Sequence, residues 1–338
     1  MLKQLISVPT LVACMLFSTA NIQAASSTAA SVNNPSTVTH EDYPNHSLRL
    51  IVAFPSGGAT DLVARTIAPK LSELLKQSVI IDNRPGANGT LAAGLTAEAS
   101  PDGYTLHLAT LGAMVISPTI TKLPYDPLKD FAPIGLAVRL QNIFVTHPRV
   151  AAHTIPELIT LMRQTPNLNY ASSGLGSPGH LAGALFQTMT KTELNHIPYK
   201  GGGLALADLA GGQIPLFIAV ISTSLPLVKA GKVNAIAVTG PKRTPVLPEV
   251  PTVSETNGLK QYEASNWYGL VSSANTPKPI IDRLQASLQT VIYMPEVRDA
   301  LLARGIDPAP STPEEFVSYL KAETNKWQKV VKFANLKQ

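Results

Sequence analysis

The chain reads Phe54-Pro55-Ser56-Gly57-Gly58-Ala59-Thr60-Asp61 directly after a largely apolar run from Leu48 to Ala53. That run is typical of a buried parallel strand, and the residues after the quoted stretch have the apolar spacing of a helix. The order strand, glycine-rich turn, helix predicts an α/β fold. The helix start would point unpaired N–H groups at an anion held by the turn. The other interpretation is an ordinary connection in which Thr60 or Asp61 caps the helix.

The same arrangement recurs much later in the chain. Leu168 to Ala171 predicts a strand, Ser172 to His180 is rich in glycine and serine, and an apolar helix pattern follows. Other strands and helices alternate around these two stretches, which predicts mostly parallel sheets flanked by helices. Ligands of such sheets bind at the carboxyl ends of strands, so Thr110, after the predicted strand Tyr104 to Ala109, is also a site candidate. Its hydroxyl can equally serve as a helix cap.

Length and composition limit the functions to consider. The 338 residues are 45% hydrophobic and 14% charged, which is enough for more than one lobe. The net charge is +5, but the basic residues are scattered and form no stripe beside aromatic residues, which argues against nucleic-acid binding. The seven histidines are dispersed, and no metal centre or cofactor is predicted. The glycines after Lys200 lack the Walker order, which argues against a nucleotide site.

The first residues have the pattern of a targeting signal. Lys3 precedes an apolar stretch from Leu5 to Phe17, and small residues from Ala20 to Ala25 offer cleavage sites. We therefore predict a signal peptide over residues 1–25 and a flexible leader over residues 26–43. The only cysteine, Cys14, lies in a lipobox-like sequence, but the apolar run continues past it, so cleavage is favoured over lipid anchoring.

The second glycine- and serine-rich stretch also allows an enzymatic interpretation. Ser173 or Ser177 with His180 has the composition of a hydrolase site, but Leu175 stands where a nucleophile elbow requires glycine. No paired carboxylates suited to acid–base catalysis stand out either. The sequence therefore predicts no catalytic residues, and His180 is interpreted as a first-turn helix residue or a ligand contact.

Several stretches, in their order and spacing, resemble one family, the Bug/TctC proteins, which are the periplasmic solute receptors of tripartite tricarboxylate transporters. The resemblance extends over about residues 43–332. It is carried by Phe54 to Asp61, Asn83 to Ala87, Pro101 to Leu106, Leu123 to Pro127, Leu168 to Ser172 with His180 to Gly183, Pro198 to Gly201, and Lys242-Arg243 followed by Leu247 to Val253.

This resemblance implies the type II periplasmic binding protein fold, with a ligand cleft between two α/β lobes joined by crossover strands. The first lobe would comprise residues 44–141 with 262–338, and the second residues 142–261. The resemblance also implies that backbone N–H groups and hydroxyls of two loops hold a carboxylate. The implied ligand-binding residues are Phe54, Ser56, Gly57, Gly58, Ala59, Thr60, Asp61, Thr110, Ser173, Gly176, Ser177 and His180.

The resemblance further implies a monomer in the periplasm that delivers a di-/tricarboxylate or aromatic acid to a membrane permease. A ligand sensor for a signalling partner is the alternative. Many members of the family have an acidic residue near the position of Pro215 and an aspartate or asparagine near that of Ala219. If Ala219 faces the cleft, a ligand amine has no counter-charge here. We therefore expect a plain or aromatic carboxylate rather than an amino acid.

Overall fold

A computed structural model describes residues 42–333, which lie in one compact unit, Thr39–Gln338. The predicted signal peptide, almost all of the predicted leader and Cys14 lie outside the described residues. Within residues 42–333, no helix has both the length and the apolar character needed to cross a membrane.

Eleven strands and ten α-helices form the described part of the chain. The strands are β1 (Leu48–Val52), β2 (Val79–Asn83), β3 (Thr105–Thr110), β4 (Phe131–Leu140), β5 (Asn142–Thr146), β6 (Asn169–Ser172), β7 (Asn195–Pro198), β8 (Leu216–Val220), β9 (Asn234–Val238), β10 (Asn266–Ser273) and β11 (Ile306–Pro308). The helices are α1 (Ala59–Leu75), α2 (Thr90–Ala97), α3 (Ser117–Ile120), α4 (Ile155–Gln164), α5 (Pro178–Thr190), α6 (Gly202–Ala210), α7 (Ile221–Lys229), α8 (Lys278–Tyr293), α9 (Pro295–Leu302) and α10 (Pro313–Phe333). Short 3-10 turns cover Ala87–Gly89 and Val253–Glu255, and a π-helical segment covers Gly112–Ile116.

The strands form two sheets, with the orders β11-β4-β10-β3-β1-β2 and β7-β6-β8-β5-β9. Most strands of each sheet point the same way, as predicted. The exceptions are β10 and β11 in the first sheet and β5 in the second, which run antiparallel to their neighbours. The chain passes from the first sheet to the second between β4 and β5, and it returns with β10.

Helix α1 shows how packing overrides local propensity. Its buried face, which includes Val63, Ile67 and Leu71, packs into the core of the first sheet. Pro69 lies inside this helix, yet α1 continues to Leu75. A proline removes one backbone hydrogen bond, and we attribute the continuation to the apolar surface that α1 buries on both sides of Pro69.

A second apolar cluster joins the two sheets. It contains Met114 of the π-helical segment, Phe186 of α5, and Trp267 and Trp327. Both tryptophans are fully buried. Helix α10 contacts β4 of the first sheet and α5 beside the second. The cluster also includes Ala109 of β3 and Tyr170 of β6, so these strands of the two sheets share one core.

Candidate functional site

The turn between β1 and α1 has the geometry of an uncapped helix start. Gly57 has a φ of +84°, a value that favours glycine, and Gly58 is the N-cap residue with extended backbone angles. No side chain caps this helix end within residues 42–333. Thr60 and Asp61 therefore do not act as N-caps, because both lie inside α1. The first N–H groups of α1 remain available to a ligand.

Asp61 instead stabilises the turn through its buried carboxylate. It is 2% exposed, and its carboxylate accepts hydrogen bonds from Gly57 N (2.9 Å), Asn83 Nδ2 (3.0 Å) and Arg65 Nε (2.8 Å). Burial alone would raise the pKa of Asp61, but these three donors outweigh it and hold the pKa below its usual value. The ionised carboxylate thus fixes the backbone of the turn.

The turn between β6 and α5 is closed by its own side chains. Ser177 is fully buried and is the N-cap of α5, where its Oγ accepts the His180 N–H at 3.4 Å. The His180 ring accepts the Gly176 N–H at Nδ1, at 3.0 Å. It also stacks on His196, with ring centroids 3.9 Å apart. This helix start differs from that of α1 because a side chain, that of Ser177, already accepts one of its N–H groups.

The two stacked histidines are uncharged at neutral pH. Burial lowers the pKa of His180 to about 4. Burial and the like charge of His180 lower that of His196 to about 3. Because Nδ1 of His180 accepts a hydrogen bond, the neutral ring carries its proton on Nε2.

We expect the protein to lose stability as pH falls from about 6.5 toward about 5. The unfolded chain takes up protons near the ordinary histidine pKa, whereas folded His180 does so only near 4. The loss attributable to His180 is on the order of 2 kcal/mol at about pH 5. Urea denaturation across this pH range measures the loss. His180→Asn, whose Oδ1 can replace Nδ1 as an acceptor, should flatten the profile. Parallel profiles for the two proteins would contradict the prediction.

A third turn lies between β7 and α6 and contains the glycines that lack the Walker order. Its N-cap is Gly201, with a φ of +124° and no side-chain cap within the described part of the chain. Of the three turns described here, those before α1 and α6 therefore leave the helix start without a side-chain cap. A strand followed by three consecutive glycines was the sequence signal for this second uncapped start.

A cavity of about 550 Å³ lies between these turns, within the size range of small-molecule sites. Eight predicted site residues line it: Phe54, Ser56, Gly57, Gly58, Ala59, Thr60, Thr110 and Ser173. Gly176 lines a neighbouring cavity of about 670 Å³. Three predicted site residues line neither of these two cavities: Asp61, Ser177 and His180. They form hydrogen bonds to the backbone of the turns instead.

Residues that the sequence analysis did not select also line the 550 Å³ cavity. Asn266 and Tyr268 come from β10, whose antiparallel pairing places Tyr268 opposite Thr110. No local sequence signal marks them, because their position depends on that long-range pairing. The others are Pro55, Asn88, Gly112, Pro178, Lys200 to Leu204, Phe217, Val220 and Thr223.

The charge in the cavity is positive and sparse. Lys200 is the only charged residue among the described residues that line it, and no acidic side chain does so. Ala219, which was considered as a cleft residue, is 1% exposed and packs in the core of the second sheet. Its strand contributes Phe217 and Val220 to the cavity instead. The argument that used Ala219 therefore does not apply, because this side chain is buried in the core and does not line the cavity.

The hydrolase interpretation finds no support in this geometry. The Ser177 Oγ contacts the backbone of His180 rather than its ring. The serine that does contact a histidine is Ser172, whose Oγ lies 2.7 Å from His196 Nε2. Ser172 is fully buried and lines neither of the two cavities.

Comparison with known proteins identifies the family. Residues 63–336 match the family described as "Tripartite tricarboxylate transporter family receptor". The chain belongs to this family. The receptor is similar to the solved structure "R. palustris Rpa4515 with adipate", with 36% identity, a TM-score of 0.83, and coverage of 87% of this chain and 99% of that one.

Two further structures are similar to the receptor. One is "periplasmic binding protein BugD", with 32% identity, a TM-score of 0.82, and coverage of 87% and 99% of the two chains. The other is MatC from Rhodopseudomonas palustris with bound malate, with 31% identity, a TM-score of 0.80, and coverage of 86% and 100%. The predicted family and the two-lobe fold are confirmed. The receptor is a periplasmic binding protein and not an enzyme.

Proposed function

We propose that the receptor binds a small organic acid in the 550 Å³ cavity and delivers it to the permease of a tripartite tricarboxylate transporter. The observation that carries this proposal is that the helix starts of α1 and α6, both at the cavity, have no side-chain cap. Unpaired N–H groups and the positive ends of two helix dipoles favour a carboxylate. Lys200 adds a full positive charge.

The walls of the cavity support an acid with an apolar body. Phe54, Leu204, Phe217 and Val220 line the cavity beside hydroxyl and amide groups. Apolar walls with a few polar groups are typical of ligand sites that fix orientation by hydrogen bonds. Structures similar to the receptor hold adipate or malate. We therefore place the ligand among dicarboxylates, tricarboxylates or aromatic acids without an amino group.

The site residues proposed from the sequence belong to this proposal, in two roles. Those that line the cavity would contact the acid, while Asp61, Ser177 and His180 would hold the turns in place. The proposed lobes are residues 44–141 with 262–338 and residues 142–261. The passage of the chain between the sheets after β4 and before β10 supports these boundaries.

The permease partner and the export route are proposed from the family. Its description names a tripartite transporter, and delivery from a periplasmic receptor requires a membrane partner. The signal peptide proposed over residues 1–25 would bring the receptor to the periplasm. A cleft between two lobes of one chain needs no second copy, so we propose that the receptor acts as a monomer.

We expect organic acids to raise the melting temperature of the receptor, because a ligand that binds only the folded state stabilises it. An acid at about 100 times its dissociation constant adds roughly 2.7 kcal/mol. Thermal-shift measurements on residues 26–338 with mono-, di- and tricarboxylates, aromatic acids and amino acids test this. Amides of the same acids serve as controls of equal shape. A response to the amides or to neutral solutes, without any response to acids, would overturn the proposal.

A further inference from the structure

The side chain of Asn88 bridges the two lobes. It lies in the 3-10 turn before α2, beside the first sheet, and its Nδ2 donates a hydrogen bond of 2.8 Å to the carbonyl oxygen of Gly176. Gly176 belongs to the turn between β6 and α5, beside the second sheet. Asn88 has a φ of +55°, a conformation that asparagine adopts more readily than most residues.

The bridge is fitted between two glycines, one from each lobe. A Cβ atom added to Gly112 would lie 2.7 Å from Asn88 Nδ2 and 2.8 Å from its Oδ1. A Cβ atom added to Gly176 would lie 3.1 Å from Asn88 Nδ2. The separations at Gly112 leave no room for a methyl group, and the one at Gly176 would require the amide to move by a few tenths of an ångström. The absence of both side chains is what lets the amide of Asn88 occupy this slot.

Asn88 also stands where two cavities meet. The 550 Å³ and 670 Å³ cavities share six lining residues: Phe54, Pro55, Asn88, Ser173, Lys200 and Gly201. Among these six, in the described part of the chain, Asn88 alone forms a side-chain hydrogen bond between the lobes. The Asn88–Gly176 bond therefore lies at the boundary between the two cavities, which we call the partition.

We propose that Asn88 is a specificity-determining residue that limits the length of the bound acid. This inference rests on the proposed function. An acid with its carboxylate at the helix starts extends toward the partition, so a chain too long for the 550 Å³ cavity meets the amide of Asn88. The same amide stabilises the closed arrangement of the lobes around shorter acids. Loss of the side chain would join the cavities and remove this closing bond.

Calorimetric titration of unbranched dicarboxylates from malonate to sebacate, with wild type and Asn88→Ala, tests the inference. The shorter acids should bind about fivefold more weakly to the variant, because one hydrogen bond between the lobes is lost. For longer acids, each methylene that enters the joined cavity should strengthen binding by about fourfold. The preferred chain length should therefore increase. A uniform loss for all acids, as expected from a purely structural role, would overturn the inference.

Two further variants separate the bridge from general damage. Asn167→Ala is the matched control, because Asn167 also has a positive φ, is exposed, and has no side-chain hydrogen bond within residues 42–333. It should leave the length profile unchanged. Gly112→Ala should displace the amide and reproduce the effect of Asn88→Ala, and the double variant should show no further change. If the effects of Gly112→Ala and Asn88→Ala on the length profile are additive, the two substitutions do not act through the same contact.

The outcomes also separate the two proposals. A wild-type receptor that binds none of these acids, nor the other acids of the thermal-shift panel, overturns the proposed function and this inference with it. A wild type that binds acids, together with an Asn88→Ala variant of unchanged length preference, overturns this inference alone.

Discussion

Gly179→Ala is expected to destabilise the receptor by about 3 kcal/mol or more and to abolish ligand binding. Gly179 is the second residue of α5, and its helix start packs directly on β8. A Cβ atom at this position would collide with the carbonyl oxygen of Ile218. That oxygen belongs to a strand paired on both sides, so it cannot move away as a side chain can. Helix α5 must shift instead, and the turn that carries Ser173 shifts with it.

Urea denaturation and calorimetric titration measure the two effects of Gly179→Ala. Gly94→Ala is the matched control. Gly94 also lies in a helix, α2, but nothing lies within 4 Å of an added Cβ. That variant should gain roughly 0.5 to 1 kcal/mol, because alanine favours the helical backbone. Equal stability of the two variants would show that contact with the β8 backbone does not determine the effect.

The first turn was predicted correctly from the sequence because its cause is local. A buried strand, two glycines and an amphipathic helix follow one another within Leu48–Leu75, and strand–turn–helix geometry depends mainly on neighbours in the chain. What the sequence left open was which residue caps the helix. Thr60 and Asp61 suit an N-cap equally well by type. Neither residue caps α1, because the N-cap is Gly58. Asp61 instead accepts a hydrogen bond from Asn83, a residue of β2 that is distant in sequence.

Part of the candidate site could not be predicted from neighbouring residues in the sequence. The turn before α5 and the turn before α6 both follow a strand and contain glycines. Their difference is one side chain, Ser177, which caps α5, whereas Gly201 leaves α6 uncapped. The residue type at the helix start, serine or glycine, could have predicted which of the two helices is capped. The positions of Asn266 and Tyr268 could not be derived in the same way, since they reach the cavity through the reversed strand β10 and its register with β3.

Asp61→Asn should lower the stability of the receptor by roughly 2 to 4 kcal/mol and weaken ligand binding by at least about tenfold. The substitution keeps the shape but turns one acceptor oxygen into an NH₂ donor. Gly57 N and Arg65 Nε approach Oδ2, and Asn83 Nδ2 approaches Oδ1. Whichever way the new amide lies, a donor faces a donor in a site only 2% exposed. The Gly57 peptide loses its anchor, so the first N–H groups of α1 lose their fixed direction.

Asp82→Asn provides the comparison that isolates burial. Asp82 also accepts from arginines, Arg49 and Arg84, but its side chain is 21% exposed and its partners are near half exposed. Exposed ion pairs contribute at most about 1 kcal/mol, since water and salt screen them. Urea denaturation should therefore show a small loss for Asp82→Asn and a large one for Asp61→Asn. Calorimetry should show weakened binding only for the second. If both variants bind acids as wild type does, the Asp61 carboxylate does not fix the ligand-binding turn.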